Sequence, residues 1–257
     1  MLTVLLRVLA AWLIALPALA AAPSFAFFYG ADPPWDELAA FDTIVVEPAH
    51  VPSPRRAGIA SEIAAYVSIG EIDRGRPYLA DLPPAWRRGE NREWDSVLVD
   101  QSQPEWPAWF VARVVRPLWD AGYRTFFLDT LDSYHRFATD DAARAAQEAG
   151  LVRVIRALRA AFPEAKLVFN RGFEILPQVH GEAAAVAAES LFQGWDQAAQ
   201  RYREVPAADR EWLTAQLVRV RDEYRKPVIG IDYTPPGERE LARRTAERIK
   251  ALGFVPW

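Results

Sequence analysis

The 257-residue chain contains no cysteine. Neither a disulfide framework nor a thiolate metal site is therefore available to it, and its stability has to come from packing. Histidine is nearly as scarce, at His50, His135 and His180 only, which leaves little material for imidazole chemistry or a histidine-rich metal centre. Basic charge is also short: 30 Lys and Arg stand against 34 Asp and Glu, with no long basic tract. That balance argues against a nucleic-acid partner and suits a neutral or cationic ligand. No G-x-S-x-G elbow surrounds Ser68, and neither a P-loop nor a G-x-G-x-x-G is present, so the strongest motif arguments for serine hydrolases and nucleotide enzymes are missing. The arginine pairs Arg55-Arg56, Arg87-Arg88 and Arg243-Arg244 read as solvated surface.

Long apolar runs are confined to the N-terminus. Residues 1–22, MLTVLLRVLAAWLIALPALAAA, hold one early cation (Arg7), an apolar stretch from Val8 to Ala22, Pro17 near its end, and the small residues Ala18 and Ala20. This is the pattern of a cleavable export signal. Its 15 apolar residues fall short of the ~20 that span a bilayer, so no stable membrane insertion is expected after cleavage. The expected organisation is a signal peptide over 1–22 and one domain over 23–257, in a periplasmic or secreted protein. At 51% hydrophobic residues the chain can bury a sizeable core.

Within it, short apolar runs alternate with longer helical patterns, the signature of a parallel sheet with covering helices. Eight runs are candidate strands: 25–30, 43–48, 64–70, 96–100, 125–130, 166–172, 184–190 and 227–233. Eight βα units in about this length point to an α/β fold, a (β/α)8 TIM barrel. The clearest helix follows the fifth run, with Thr139 as its expected N-cap and Pro163 after its end. The tail FVPW is expected to pack beneath or beside the barrel. Arg74 to Glu93 reads as an ordered excursion, because Tyr78, Trp86 and nearby Trp94 are too apolar to remain solvated.

Polar residues collect at the ends of these runs. Tyr29, Glu47, Glu71, Asp100, Asp129, Asn170 with Arg171, Glu189, and Asp232 with Tyr233 all lie at or just past a C-terminal strand end, where barrel active sites are built. In FFLDTLDSY, strand alternation puts Phe127 on the same face as Asp129, with Phe126 and Leu128 toward the helices. Asp132 lies beyond the strand, where it would cap a short turn, support Asp129 or touch a ligand. In AAVAAESLF, Glu189 shares its face with Ala185 and Ala187, apolar surroundings that raise a carboxyl pKa and suit a general acid. A carboxylate pair on two such strands is what glycoside hydrolysis requires. Tryptophans such as Trp35, Trp86, Trp94, Trp106, Trp109 and Trp195 could stack on sugar rings, although each is individually more often core, and Trp109 and Trp119 sit in a helix best read as core. A metal site from Asp129, Asp132 and His135 lacks a second histidine at recognisable spacing, so no metal or other cofactor is expected.

Taken together, FFYGADPPWDELAAFDTIVVEP, AYVSIGE, FFLDTLDSY, VFNRGFEIL and AAESLF resemble the glycoside hydrolase domains of Pel polysaccharide modification proteins. They are similar, more distantly, to the family 114 endo-alpha-1,4-polygalactosaminidases. The resemblance runs from about residue 25 to the C-terminus. It implies internal, metal-independent cleavage of alpha-1,4-linked galactosamine or N-acetylgalactosamine exopolysaccharide, as in biofilm matrix. Asp129 would be the nucleophile of a retaining reaction and Glu189 its general acid/base. Tyr29, Glu47, Glu71, Asp100, Asp132, Asn170, Arg171, Asp232 and Tyr233 would then contact substrate. The competing expectation is a catalytically silent barrel that only binds exopolysaccharide.

Overall fold

The computed structural model describes residues 23–55 and 58–257; the signal expected over 1–22 lies outside the described residues. The strands are β1 (Phe25–Phe28), β2 (Thr43–Val46), β3 (Glu62–Ser68), β4 (Glu71–Asp73), β5 (Arg87–Asn91), β6 (Ser96–Val99), β7 (Thr125–Asp129), β8 (Lys166–Asn170), β9 (Ala183–Glu189), β10 (Gln193–Asp196), β11 (Arg201–Glu204), β12 (Val228–Ile231) and β13 (Val255–Pro256). Eight of them form one sheet in the order β1-β2-β3-β7-β8-β9-β12-β13, parallel at every pairing. With helices in the connections, this is the expected (β/α)8 barrel, nearly closed. Among the described residues no ladder joins β13 to β1. Trp257 fills that seam instead, its ring 6.2 Å from Phe27 and 5.2 Å from Phe41.

Two expectations about strand membership are corrected. The run 96–100 is not a barrel strand: β6 pairs antiparallel with β4 and β5 in a separate three-stranded sheet. A short apolar run signals a buried strand without saying which sheet will bury it. The partner strands EID and RRGEN have no apolar pattern to betray them. The eighth barrel strand is instead β13, from the tail expected to lie beneath or beside the barrel. Two residues are too few for periodicity, and Pro256, which lacks an N–H, is tolerated because it sits in the last strand of the ladder.

Strand alternation separates two apolar layers, as expected. Phe25, Phe27, Val45, Ala64, Phe127, Val168, Ala185, Ala187, Ile229 and Ile231 fill the barrel interior. Phe126, Leu128, Phe169, Val186 and Val228 face the surrounding helices. The helix Asp141–Ala161 covers the β7-to-β8 connection, and its N-cap is Asp140, whose carboxylate accepts from the Ala143 N–H at 2.8 Å; Thr139 precedes the cap. A carboxylate in that position also meets the positive end of the helix dipole. The excursion after β3 is ordered, as expected, and Tyr78 and Trp86 pack against the core, but Trp94 is 60% exposed. Trp86, Trp106 and Trp109 pack on one another with ring centroids 5.2–6.4 Å apart, and Trp106 is fully buried, so these three are core. Among the described residues no helix is long and apolar enough to cross a membrane.

Candidate active site

The barrel order places β3, β7, β8, β9 and β12 side by side, and each contributes one polar side chain at the C-terminal mouth. Tyr66 on β3 donates its hydroxyl to Asp129 Oδ2 at 2.6 Å. Asn170, at the end of β8, donates Nδ2–H bonds to Asp129 Oδ1 at 2.7 Å and Glu189 Oε1 at 3.1 Å. Tyr233, just past β12, donates to the other oxygen of Glu189. The result is an uninterrupted chain, Tyr66–Asp129–Asn170–Glu189–Tyr233, across five adjacent strands. One nitrogen holds both carboxylates, so the two bridged oxygens cannot be farther apart than its two hydrogen bonds laid end to end. Such closeness is compatible with the ~5–5.5 Å carboxyl separation of retaining glycosidases.

Burial raises the pKa of both acids. For Asp129, loss of solvent outweighs the bonds from Tyr66 and Asn170 that favour its charge. For Glu189, burial is reinforced by the neighbouring Asp129 charge and opposed by Tyr233 and Asn170. Each acid accepts one tyrosine hydroxyl and one Asn170 N–H bond, and it is the neighbouring Asp129 charge that adds to burial at Glu189. Tyr29, Tyr66 and Tyr233 are all pushed upward, chiefly by desolvation of their hydroxyls and then by the nearby carboxylates, so the hydroxyls stay protonated.

The backbone just past Asp129 and Asn170 is strained. Thr130 has φ 61° and Arg171 φ 59°, the left-handed region that costs side-chain-bearing residues of order 1–3 kcal/mol. Local bonds hold both in place. Thr130 Oγ1 lies 2.8 Å from Ser68 Oγ and accepts from the Gly70 N–H at 2.8 Å, and the Arg171 guanidinium donates to the Glu189 carbonyl. The Thr130–Gly70 approach is close: a Cβ on Gly70 would lie 2.3 Å from the Thr130 carbonyl oxygen.

The structure sorts the remaining candidates. Tyr29 reaches the mouth, 41% exposed, its ring edge-on to Tyr66 at 5.0 Å. Glu47 is held by Arg76 in a bidentate pair at 2.6 and 2.7 Å. Asp132 makes no capping bond and lies 3.9 Å from Arg171. Asp232 accepts three backbone N–H bonds, from Leu191, Phe192 and Gln193, and so anchors the turn after Glu189. Glu71 and Asp100 lie away from the chain of five. Glu71 is buried against Asn91, Ser96 and Ser133. Asp100 is fully buried and takes bonds from Arg88, Ser102, Gln103 and Gln147. Burial alone would raise Asp100, but those bonds outweigh it and hold the carboxyl well below the usual range. Both belong to the second sheet, Glu71 at the start of β4 and Asp100 just past β6, and the bonds above tie them to protein partners. His135 points at Glu174, 3.6 Å away, and among the described residues no three His, Asp or Glu side chains gather as a metal site. Tyr66 was missed by the sequence reading, although its register opposite Phe127 puts it on the inward face.

The family model for glycoside hydrolase family GH114 matches residues 7–257. The chain belongs to GH114. It is a glycoside hydrolase, and similar solved structures agree. The glycoside hydrolase domain of PelA from Pseudomonas aeruginosa is 40% identical, with a TM-score of 0.80 over 91% of this chain and 94% of that one. Ega3 from Aspergillus fumigatus, solved in complex with galactosamine, is 14% identical with a TM-score of 0.62 over 92% and 90% of the two chains, a likeness of fold. A GH18 chitinase from Pseudoalteromonas aurantia shares the fold at 10% identity and a TM-score of 0.54, covering 91% of this chain and 93% of that one. No curated protein matches significantly.

Proposed function

We propose that this GH114 enzyme cleaves alpha-1,4-linked galactosamine or N-acetylgalactosamine polysaccharide internally, by a retaining mechanism with Asp129 as nucleophile and Glu189 as acid/base. The observation that carries the reading is the single Asn170 nitrogen shared by both carboxylates, a closeness that suits a retaining pair. The 40% identical glycoside hydrolase domain of PelA and the galactosamine bound to Ega3 support this reading.

In the first step the Asp129 carboxylate attacks the anomeric carbon. The bond from that carbon to O4 of the next sugar breaks, and Glu189 gives its proton to the departing O4. The glycosyl ester on Asp129 then meets water: Glu189 takes one proton, the oxygen bonds to the anomeric carbon, and Asp129 leaves as carboxylate. One water is consumed and the anomeric configuration is kept. Burial and the Asp129 charge raise Glu189, as suits an acid, while Tyr66 and Asn170 favour the ionised form of Asp129. Asn170 and Tyr233 hold Glu189 in position, and Tyr29 and Arg171 are placed at the rim to contact sugar. We further propose that residues 1–22 direct export, so that the 23–257 domain acts on polymer in the periplasm or outside the cell.

The test is to incubate wild type, Asp129→Asn and Glu189→Gln with galactosamine-rich polymer and follow chain length and new reducing ends. Wild type should shorten the chains, and each variant should lose at least ~10²–10³-fold of the rate while remaining folded. Polymer left intact by wild type would sink the substrate assignment. Variants as fast as wild type would sink the roles given to the two carboxylates, and a product of inverted configuration would sink retention.

A further inference from the structure

Beside the carboxylate pair lies a second concavity of about 350 Å³, bordered by Arg171, Ser190, Trp195, Arg203, Asp209 and Trp212. It touches the candidate site at two points. Ser190 follows Glu189 in the chain, and Arg171 donates to the Glu189 carbonyl. The cavity therefore adjoins the backbone at Glu189, the residue proposed to protonate the leaving oxygen.

Its walls suit a pyranose ring. Trp212 is 49% exposed and held edge-on by Phe173 at 5.8 Å. Trp195 is fixed by its Nε1–H bond to Gln197 at 2.7 Å and by an edge contact with Tyr202 at 4.9 Å. Indole faces fixed in this way offer the flat apolar surface that sugar C–H faces pack against. The polar lining is two guanidinium groups against one carboxylate. Arg203 is exposed on β11, and among the described residues its side chain takes part in no hydrogen bond or ion pair, so its donors can meet a ligand. Such a lining repels a protonated amine, whereas the carbonyl of an acetamido group accepts a charge-assisted bond from a guanidinium.

Resting on the function proposed above, we infer that this cavity is the subsite for the first sugar on the leaving side of the scissile bond, and that it selects an N-acetylated unit over one with a free amine. After cleavage that sugar carries the new 4-hydroxyl and becomes the new non-reducing end of the released fragment.

The experiment digests a partially N-acetylated alpha-1,4-galactosamine polymer and determines acetylation at the new non-reducing ends by mass spectrometry. With wild type, N-acetylated ends should exceed the polymer average several-fold. With Arg203→Ala, which removes an exposed side chain, they should fall toward that average. Ends at the average, or enriched in free amines, with wild type would overturn the inference while leaving the hydrolase reading intact. A second measurement is independent of turnover: Glu189→Gln and Glu189→Gln/Arg203→Ala are titrated calorimetrically with fully N-acetylated and fully deacetylated oligomers. The added substitution should weaken the N-acetylated ligand about tenfold, the scale of one charge-assisted hydrogen bond, and the deacetylated one little. Equal loss for both ligands, or none, would overturn the subsite even if wild type cleaves neither polymer.

Discussion

Asn170 stands between two acids that resist being ionised together, and this has consequences for stability as well as chemistry. The folded-state pKa of Glu189 is raised, first by burial and then by Asp129. Below the ordinary carboxylate range, roughly pH 4, the group is protonated in folded and unfolded chains alike and costs nothing; above it the folded chain opposes the ionisation that the unfolded chain accepts. Its contribution is thus lost as pH rises. Glu189→Gln should therefore raise the melting temperature by a few degrees at neutral pH, with the gap closing toward pH 4, as followed by thermal denaturation across pH. A gap that widens on acidification would show the linkage to be wrong. At Asp129 the Tyr66 hydroxyl favours the charged form. Tyr66→Phe should accordingly move the acidic limb of the kcat/KM profile to higher pH and leave the basic limb in place. An unmoved acidic limb would mean that Asp129 ionisation does not set it. Sequence periodicity alone gave Asp129 and Glu189 their inward faces, because alternation along a strand is a local property. It missed Tyr66, whose significance lies in a partner 63 positions away.

At the scale of elements, the small sheet β4-β6-β5 is fastened to the barrel by charged and polar groups that look functional in the sequence. Glu71 ties it to Ser133 beyond β7, and Asp100 ties it to Gln147 on the helix Asp141–Ala161. That helix comes so close that a Cβ on Gly150 would lie 2.0 Å from the Gln101 carbonyl oxygen. In an isolated helix Gly→Ala gains about 1 kcal/mol. Here Gly150→Ala should instead cost ~2 kcal/mol or more, since backbone must move to admit the methyl, and urea denaturation would measure it. A stabilised variant would show that the loop at Gln101 yields freely. No helical pattern announces this contact: Gly150 reads as a weak point in a good helix, and only the neighbouring loop explains it.

At the scale of the whole molecule, the barrel depends on its last residues. Trp257 donates its N–H to the Gly230 carbonyl and accepts from the Asp232 N–H, both at 2.9 Å, while its ring closes the seam against Phe27 and Phe41. Removing Val255–Trp257 would strip β12 of its outer partner and open the interior beside Asp232, the residue that anchors the turn after Glu189. The truncated chain should lose at least 10 °C of melting temperature, or about 3 kcal/mol, together with most of its activity. Unchanged melting would mean that the remaining ladder suffices. The sequence by itself determined the βα rhythm, the inward and outward face of each apolar run, and the two carboxylates at the mouth, because strand period and apolar patterning are written within a few residues. Only the tertiary structure decided that 96–99 leaves the barrel and Val255–Pro256 completes it, and that Asn170 joins the two acids. Each of those outcomes depends on which distant segments become neighbours, and pairing energy between strands is a property of the assembled sheet, not of either strand alone.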